Sequence, residues 1–380
     1  MMRAKSILDG GNTIIIKVGT NLLADKEQGI SLGRIEGLAH NVASLKALGK
    51  HVALVSSGAI GAGVAALGLK ARPKSIPEKQ ATAAIGQPLL MEAYVHAFRK
   101  QQCNVAQILL TKDDFINRSR YVNAKNTFSV LFEQGIIPIV NENDTVAIEE
   151  IKLGDNDNLS ALVANLVEAD LLIILSDING LYSDDPTRNP NAELIPIVEK
   201  ITPAIERIAK SSKSELSTGG MITKIQAAQR CVSAGIAMLI ANGQNPGILQ
   251  EIADGIFQGT LFLPSNKKIN VRKKWIGFVS HSKGHVVVDD GARQALIKKK
   301  KSLLPSGIID VHGEFKAHDT ISVYDIHGNE IARGVTTFNT SELNRIKGKK
   351  TVEAEHLIQR KISGEVIHRD NLVIMGDEEC

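Results

Sequence analysis

Two lysines stand in this sequence where a strand or helix meets a glycine turn. Lys17-Val18-Gly19-Thr20 closes an apolar run, and Ser217-Thr218-Gly219-Gly220-Met221-Ile222-Thr223-Lys224 opens an amphipathic one. A lysine leaving a strand into a glycine turn can set its ammonium against phosphate oxygens, because glycine lets backbone N–H groups approach closely. Taken alone, a lysine before a turn is more often an exposed surface residue. The Thr-Gly-Gly helix start offers free N–H groups to an anion, and Lys224 follows one turn in. Neither stretch is a Walker loop, since GxxxxGK[ST] occurs nowhere. Small residues also run through Ser56-Ser57-Gly58-Ala59-Ile60-Gly61-Ala62-Gly63. They suit an anion-receptive helix start or a helix lying close on a sheet.

Carboxylates and carboxamides crowd two further segments, Asn141-Glu142-Asn143-Asp144 and Gly154-Asp155-Asn156-Asp157-Asn158-Leu159-Ser160. Crowding of this kind is costly unless the groups bind something. Asx turns and a helix N-cap from Asp157 or Asn158 account for one or two of them. Asparagine amides and glycine backbone can take an amino acid's carboxylates, and aspartate its ammonium. The spacing and closing glutamate of a calcium loop are absent. Ser176-Asp177 and the loop Gly180–Pro186 offer a turn-rich bed for a base and ribose. Two lysines, two glycine-rich anion sites and one acidic organiser match phosphoryl transfer by positioning and charge neutralisation. A carboxylate acceptor is already ionised at neutral pH, so no catalytic His or Cys is required.

These residues need elements to hold them. Thr13–Val18, His51–Ser56, Asn104–Leu109, Ile136–Val140, Leu171–Leu175 and Ile236–Ile240 are strand-like runs. Ser31–Leu48, Pro77–Lys100, Arg118–Gln134, Asn158–Glu168 and Met221–Ser233 have helical periodicity. The alternation predicts an α/β fold with a mostly parallel sheet covered by helices on both faces. Ligands of such folds sit beyond the carboxyl ends of the strands, where the segments above fall. From Gly284 the texture becomes β-rich: His285–Val288, Gly307–Val311, Thr320–Tyr324 and His327–Gly328 alternate with turn signals, as in a small barrel. The expected division is 1–265, a polar basic linker 266–283, and 284–369.

Composition bounds the partners. The chain has 380 residues, 43% hydrophobic and 23% charged, the profile of a soluble globular protein of two domains. Its apolar runs are strand-length rather than membrane-length, and residues 1–10 lack a signal-peptide core. Three cysteines without metal spacing point to a reduced compartment. Residues 266–380 hold 20 Lys/Arg against 15 Asp/Glu, and residues 1–265 hold 25 against 26. The basic excess therefore lies in the C-terminal third with Lys298–Lys301. It is a solvated face or a weak attraction for polyanions.

Together the segments resemble the amino-acid kinase family, and within it the branch that phosphorylates the side-chain carboxylate of L-glutamate at the first step of proline biosynthesis. The resemblance runs from about Thr13 to about Arg369. Its most specific parts are Ile139–Asp144, Lys152–Ala161 and Thr218–Lys224. It implies that Lys17 and Lys224 flank the transferring phosphoryl group and that Asp157 orients them. Ser57, Asp144 and Asn156 would bind glutamate, with Asn141 and Asp155 nearby. Lys17, Ser176, Asp177 and the stretch Thr218, Gly219, Gly220, Met221, Ile222, Thr223 and Lys224 would bind ATP. Magnesium would ride with the nucleotide, with no protein ligand assigned. The C-terminal segment resembles a PUA pseudo-barrel, through Gly284–Ala292, Ser302–Ile308 and Ala332-Arg333-Gly334, and brings RNA as a candidate partner. The family further implies a cytoplasmic homo-oligomer, dimer or tetramer, functionally coupled to a glutamyl-phosphate reductase. Acetylglutamate, aspartate or a nucleoside monophosphate as acceptor, and an RNA-binding protein with no kinase activity, are the competing expectations. The RNA reading leaves the two lysines and the Thr-Gly-Gly turn unexplained.

Overall fold

The computed structural model describes residues 6–7, 9–24, 29–146, 156–186, 188–211, 220–256, 258–264, 282–317, 319–358 and 364–375. Internal contacts divide the chain into two units, 1–268 and 269–380. No helix among the described residues is long and apolar enough to cross a membrane.

The first unit is an eight-stranded sheet in the order β3-β4-β2-β1-β5-β7-β8-β6. Its strands are β1 Thr13–Val18, β2 His51–Ser56, β3 Val105–Leu110, β4 Ile137–Glu142, β5 Leu171–Ser176, β6 Ile197–Val198, β7 Ala237–Asn242 and β8 Gly259–Phe262. All pairings are parallel except β7 with β8. β5 is buried along its whole length, as a strand with helices over both faces must be. Alternation along β1 sorts its side chains. Ile14, Ile16 and Val18 join a core with Ile35, Leu38, Val42, Leu90, Tyr94 and Phe98 from helices Leu32–Ala47 and Ile76–Lys100. Ile15 and Lys17 therefore take the other face, where helices Asn156–Leu166 and Met221–Ser233 lie side by side.

β1 pairs with β2 on one side and β5 on the other. The chain thus builds one half of the sheet from β2 to β4 and then reverses, leaving a crevice at the carboxyl ends of the central strands. Strands and helices agree with the sequence expectation to within about two residues. The antiparallel β8 and the two-residue β6 were not expected, being too short to show a period. Helix Asn156–Leu166 begins two residues early, so Asp157 lies inside its first turn rather than capping it.

The second unit is a five-stranded sheet, β10-β9-β11-β12-β13. It comprises β9 Gly284–Val288, β10 Ile308–Gly313, β11 Thr320–Tyr324, β12 Glu330–Val335 and β13 Leu372–Ile374. Only β9 with β11 is parallel. Val286, Val288, Ile321, Val323, Phe338 and Ile346 form its core. His327–Gly328 is a turn rather than a strand. Asp325 accepts hydrogen bonds from the N–H groups of His327 and Asn329, at 3.0 and 2.9 Å, and closes the β11–β12 hairpin. Lys298–Lys301 is exposed, as a solvated run should be. The expected linker lies outside the described residues apart from Ser282 and Lys283.

Candidate functional site

β1 delivers Lys17 to the crevice with only 5% of its surface exposed. Its Nζ lies 2.6 Å from Asp157 Oδ1. Asp157 is completely buried, one residue into its helix. Its other oxygen, Oδ2, lies 3.2 Å from Lys224 Nζ. Lys224, 4% exposed, sits in the first turn of helix Met221–Ser233. Thr223 Oγ1 lies 2.8 Å from both Asp157 Oδ2 and the Gly220 carbonyl, so one hydroxyl proton serves two acceptors. Gly220 is the N-cap and supplies no side chain to the first helical N–H groups. One buried carboxylate thus faces two buried ammonium groups, an arrangement of charge suited to phosphoryl transfer.

The second cluster lies at the ends of β2 and β4. Gly58 follows β2 in the left-handed region, φ 116°, a conformation that glycine adopts without the strain of a Cβ. This turns the chain sharply from Ser57 into the short helix Ala59–Ala66. Asn156 Nδ2 lies 2.8 Å from Ser57 Oγ, 3.0 Å from the Ser56 carbonyl and 3.1 Å from Asn141 Oδ1. Asn141 is 4% exposed, and its Nδ2 donates to Gln87 Oε1 at 2.9 Å. Ser56 Oγ lies 2.8 Å from the hydroxyl of fully buried Tyr94. Burial pushes that phenol well above its ordinary range, against a smaller lowering by the Ser56 bond, so the contact stays neutral.

Asn156 and Asp157 are adjacent, so one helix start serves both clusters. Asp144 lies half-buried in the turn after β4. Ser176 ends β5, with its hydroxyl donating to Asp177 Oδ1 at 3.2 Å, and Asp177 Oδ2 accepts from Asn21 at 3.2 Å. Met221 is buried and Ile222 is 41% exposed. Asp155, Thr218 and Gly219 lie outside the described residues. Gln87, Tyr94 and Asn21 escaped the sequence reading. A glutamine at the buried edge of a long helix was the available signal, and it looks like any solvent-facing polar residue until the helix is placed.

A parallel sheet whose switch-point crevice gathers two buried lysines around one carboxylate defines a phosphoryl-transferring class of protein. The model of the Amino acid kinase family matches residues 12–242, and that of the PUA domain matches residues 284–358. This chain belongs to the amino acid kinase family. A glutamate 5-kinase of Thermoanaerobacter sp. (strain X514) is 48% identical over 362 residues, covering 95% of this chain and 97% of its own. Those of Geobacter sulfurreducens and Geobacter metallireducens are 47% and 49% identical, each over 97% of this chain and 99% of their own. Among solved structures, carbamate kinase from Giardia lamblia bound to AMP-PNP shares the fold. Its TM-score is 0.50 at 16% identity, over 67% of this chain and 99% of its own.

Proposed function

We propose that this chain transfers the γ-phosphoryl group of ATP to the side-chain carboxylate of L-glutamate. The product is L-glutamyl 5-phosphate, and the reaction opens proline biosynthesis. The observation that carries the reading is the Lys17–Asp157–Lys224 cluster beside the Ser57–Asn156–Asn141 amide cluster, one helix start joining them. The near-full-length similarity to glutamate 5-kinases supports the same acceptor.

In this reading Asp157 holds the two ammonium groups apart and aimed, and the ammonium groups stabilise the transferring phosphoryl group. Lys17 acts from the strand side and Lys224 from the helix side. The helix start after Gly220 meets phosphate oxygens, and Ser176 and Asp177 line the nucleotide's bed. Ser57, Asn156 and Asp144 bind glutamate, with Asn141 and Asp155 in support. The glutamate carboxylate attacks phosphorus directly, and ADP leaves. Among the described residues no three His, Cys, Asp or Glu side chains form a metal cage. Magnesium would ride with the nucleotide on its phosphate oxygens and would neutralise charge there.

The proposal includes a kinase domain at 1–265, a linker at 266–283 and a PUA domain at 284–369. It also includes a cytoplasmic homo-oligomer, dimer or tetramer, and contact of the basic C-terminal domain with RNA. An acyl phosphate is lost rapidly to water and to attack by its own amine, which favours coupling to a glutamyl-phosphate reductase. The test is ATP-dependent hydroxamate formation with glutamate, aspartate and N-acetylglutamate side by side, since hydroxylamine traps acyl phosphates. Signal with glutamate above the other two is expected. Signal only with another acceptor overturns the assignment.

A further inference from the structure

Asparagine and glutamine present an oxygen and a nitrogen of nearly equal size, so the polarity of an amide cluster depends on neighbours that cannot reverse. Two such neighbours bracket this one. The backbone N–H of Glu142 can only donate, and it meets Asn141 Oδ1 at 2.9 Å. The backbone carbonyl of Ser56 can only accept, and it meets Asn156 Nδ2 at 3.0 Å. The first anchor turns Asn141 so that its nitrogen faces Gln87, which answers with Oε1. The second turns Asn156 so that its nitrogen faces the protein and its Oδ1 is left for a ligand. Ser57 Oγ, receiving the Asn156 N–H at 2.8 Å, keeps its own proton for another acceptor. The cluster thus offers one acceptor, Asn156 Oδ1, and one donor, the Ser57 hydroxyl. That pair suits the ammonium and carboxylate of a zwitterionic amino acid.

Gln87 is the remote end of this chain of amides, 9% exposed on helix Ile76–Lys100. It is held there by two contacts of its own helix. Tyr94, two turns on along the same face, reaches Ser56. Gly86, its neighbour, lies so close to the helix Ala59–Ala66 that a Cβ would come within 1.8 Å of the Ala59 carbonyl oxygen. The helix is therefore pinned to the segment that carries Ser57 and Gly58.

We propose that Gln87 is a positioning residue for the acceptor amino acid: its Oε1 holds the Asn141 amide in the orientation that the backbone anchors set, and through it the Asn156–Ser57 pair, without touching substrate. This rests on the proposed acceptor reading and adds to it a residue outside the ligand shell. Gln87→Met keeps the volume and removes the acceptor oxygen. Gln87→Glu keeps an oxygen facing Asn141. In the full-length chain, Gln87→Met raises the KM for glutamate by about tenfold, the scale of one buried hydrogen bond, and leaves the KM for ATP within about twofold. Gln87→Glu returns the glutamate KM to within about threefold of wild type. Gln87→Asn, which withdraws the oxygen by one methylene, carries the expectation of the methionine variant should that variant fail to fold. A glutamate KM within twofold of wild type in the variants lacking the oxygen, or an equal rise in both KM values, overturns the proposal. A wild-type enzyme inactive on glutamate overturns instead the acceptor assignment. The same comparison is then made on whichever acceptor the wild type phosphorylates.

Discussion

Lys17, Asp157 and Lys224 form a unit in which each charge depends on the others. Coulomb attraction helps offset the desolvation of three buried ions, with one Asp157 oxygen facing each lysine. Replacing Lys17 or Lys224 with Ala removes one charge donor to the transition state and should lower turnover by roughly 10²-fold or more. The KM for glutamate should change less, because the proposed assignment gives the ammonium groups to the phosphoryl group rather than to the amino acid. Asn156→Ala should show the converse: a strong rise in glutamate KM with the KM for ATP within a few-fold. Steady-state kinetics with both substrates varied checks the pair. A nucleotide-specific defect in Asn156→Ala, or near-normal turnover in both lysine variants, contradicts the division of labour.

At the scale of elements, helix Ile76–Lys100 packs beside the proposed acceptor cluster through Gln87 and Tyr94. A reciprocal capping box starts it, with Ser75 Oγ accepting from Glu78 N and Glu78 Oε2 accepting from Ser75 N. Its glycine crossing then sets the distance to helix Ala59–Ala66. A Cβ at Gly86 would meet the Ala59 oxygen at 1.8 Å and Gly63 N at 2.4 Å, and one at Gly63 would meet the Thr82 oxygen at 2.0 Å. Gly86→Ala should destabilise the chain by about 1–3 kcal/mol through overpacking. It should also raise the KM for glutamate, since Ser57 and Gly58 move with the displaced helix. Chemical denaturation and kinetics on the same preparation measure both; wild-type values for both would show that the crossing has slack.

The strands that bear the site were legible because their apolar runs are long and end in polar residues: β1 and β2 begin and end where the alternation and flanking turns placed them. The antiparallel edge was not legible, because four residues of β8 and two of β6 carry too little period. Lys17, Asp157 and Lys224 stood out by residue type beside glycine and acidic clusters. Gln87 did not, because its significance lies in a contact with Asn141, 54 positions away in sequence. A one-dimensional pattern shows which residues are unusual for their element; it does not show which ordinary residues an unusual one leans on.

For the whole molecule, the two units divide the chain's chemistry unevenly. Every residue assigned to phosphoryl transfer or to the acceptor lies in the first unit, which has its own sheet and core. The second unit has a separate core and carries the basic excess. A chain ending near residue 267 should fold and retain glutamate-dependent turnover. Thermal unfolding together with kinase kinetics tests this. A folded fragment without turnover would place part of the site beyond that point.

The central claim is that a side-chain carboxylate oxygen attacks the γ-phosphorus in the crevice between β1 and β5. Glutamate labelled with ¹⁸O in its side-chain carboxylate tests it most directly. Once formed, the acyl phosphate is attacked at its carbonyl carbon by its own amine, and phosphate departs with the bridging oxygen. The account predicts ATP-dependent release of inorganic phosphate carrying one ¹⁸O, read by mass spectrometry. Phosphate released without label would mean that water, or a different acceptor, takes the phosphoryl group.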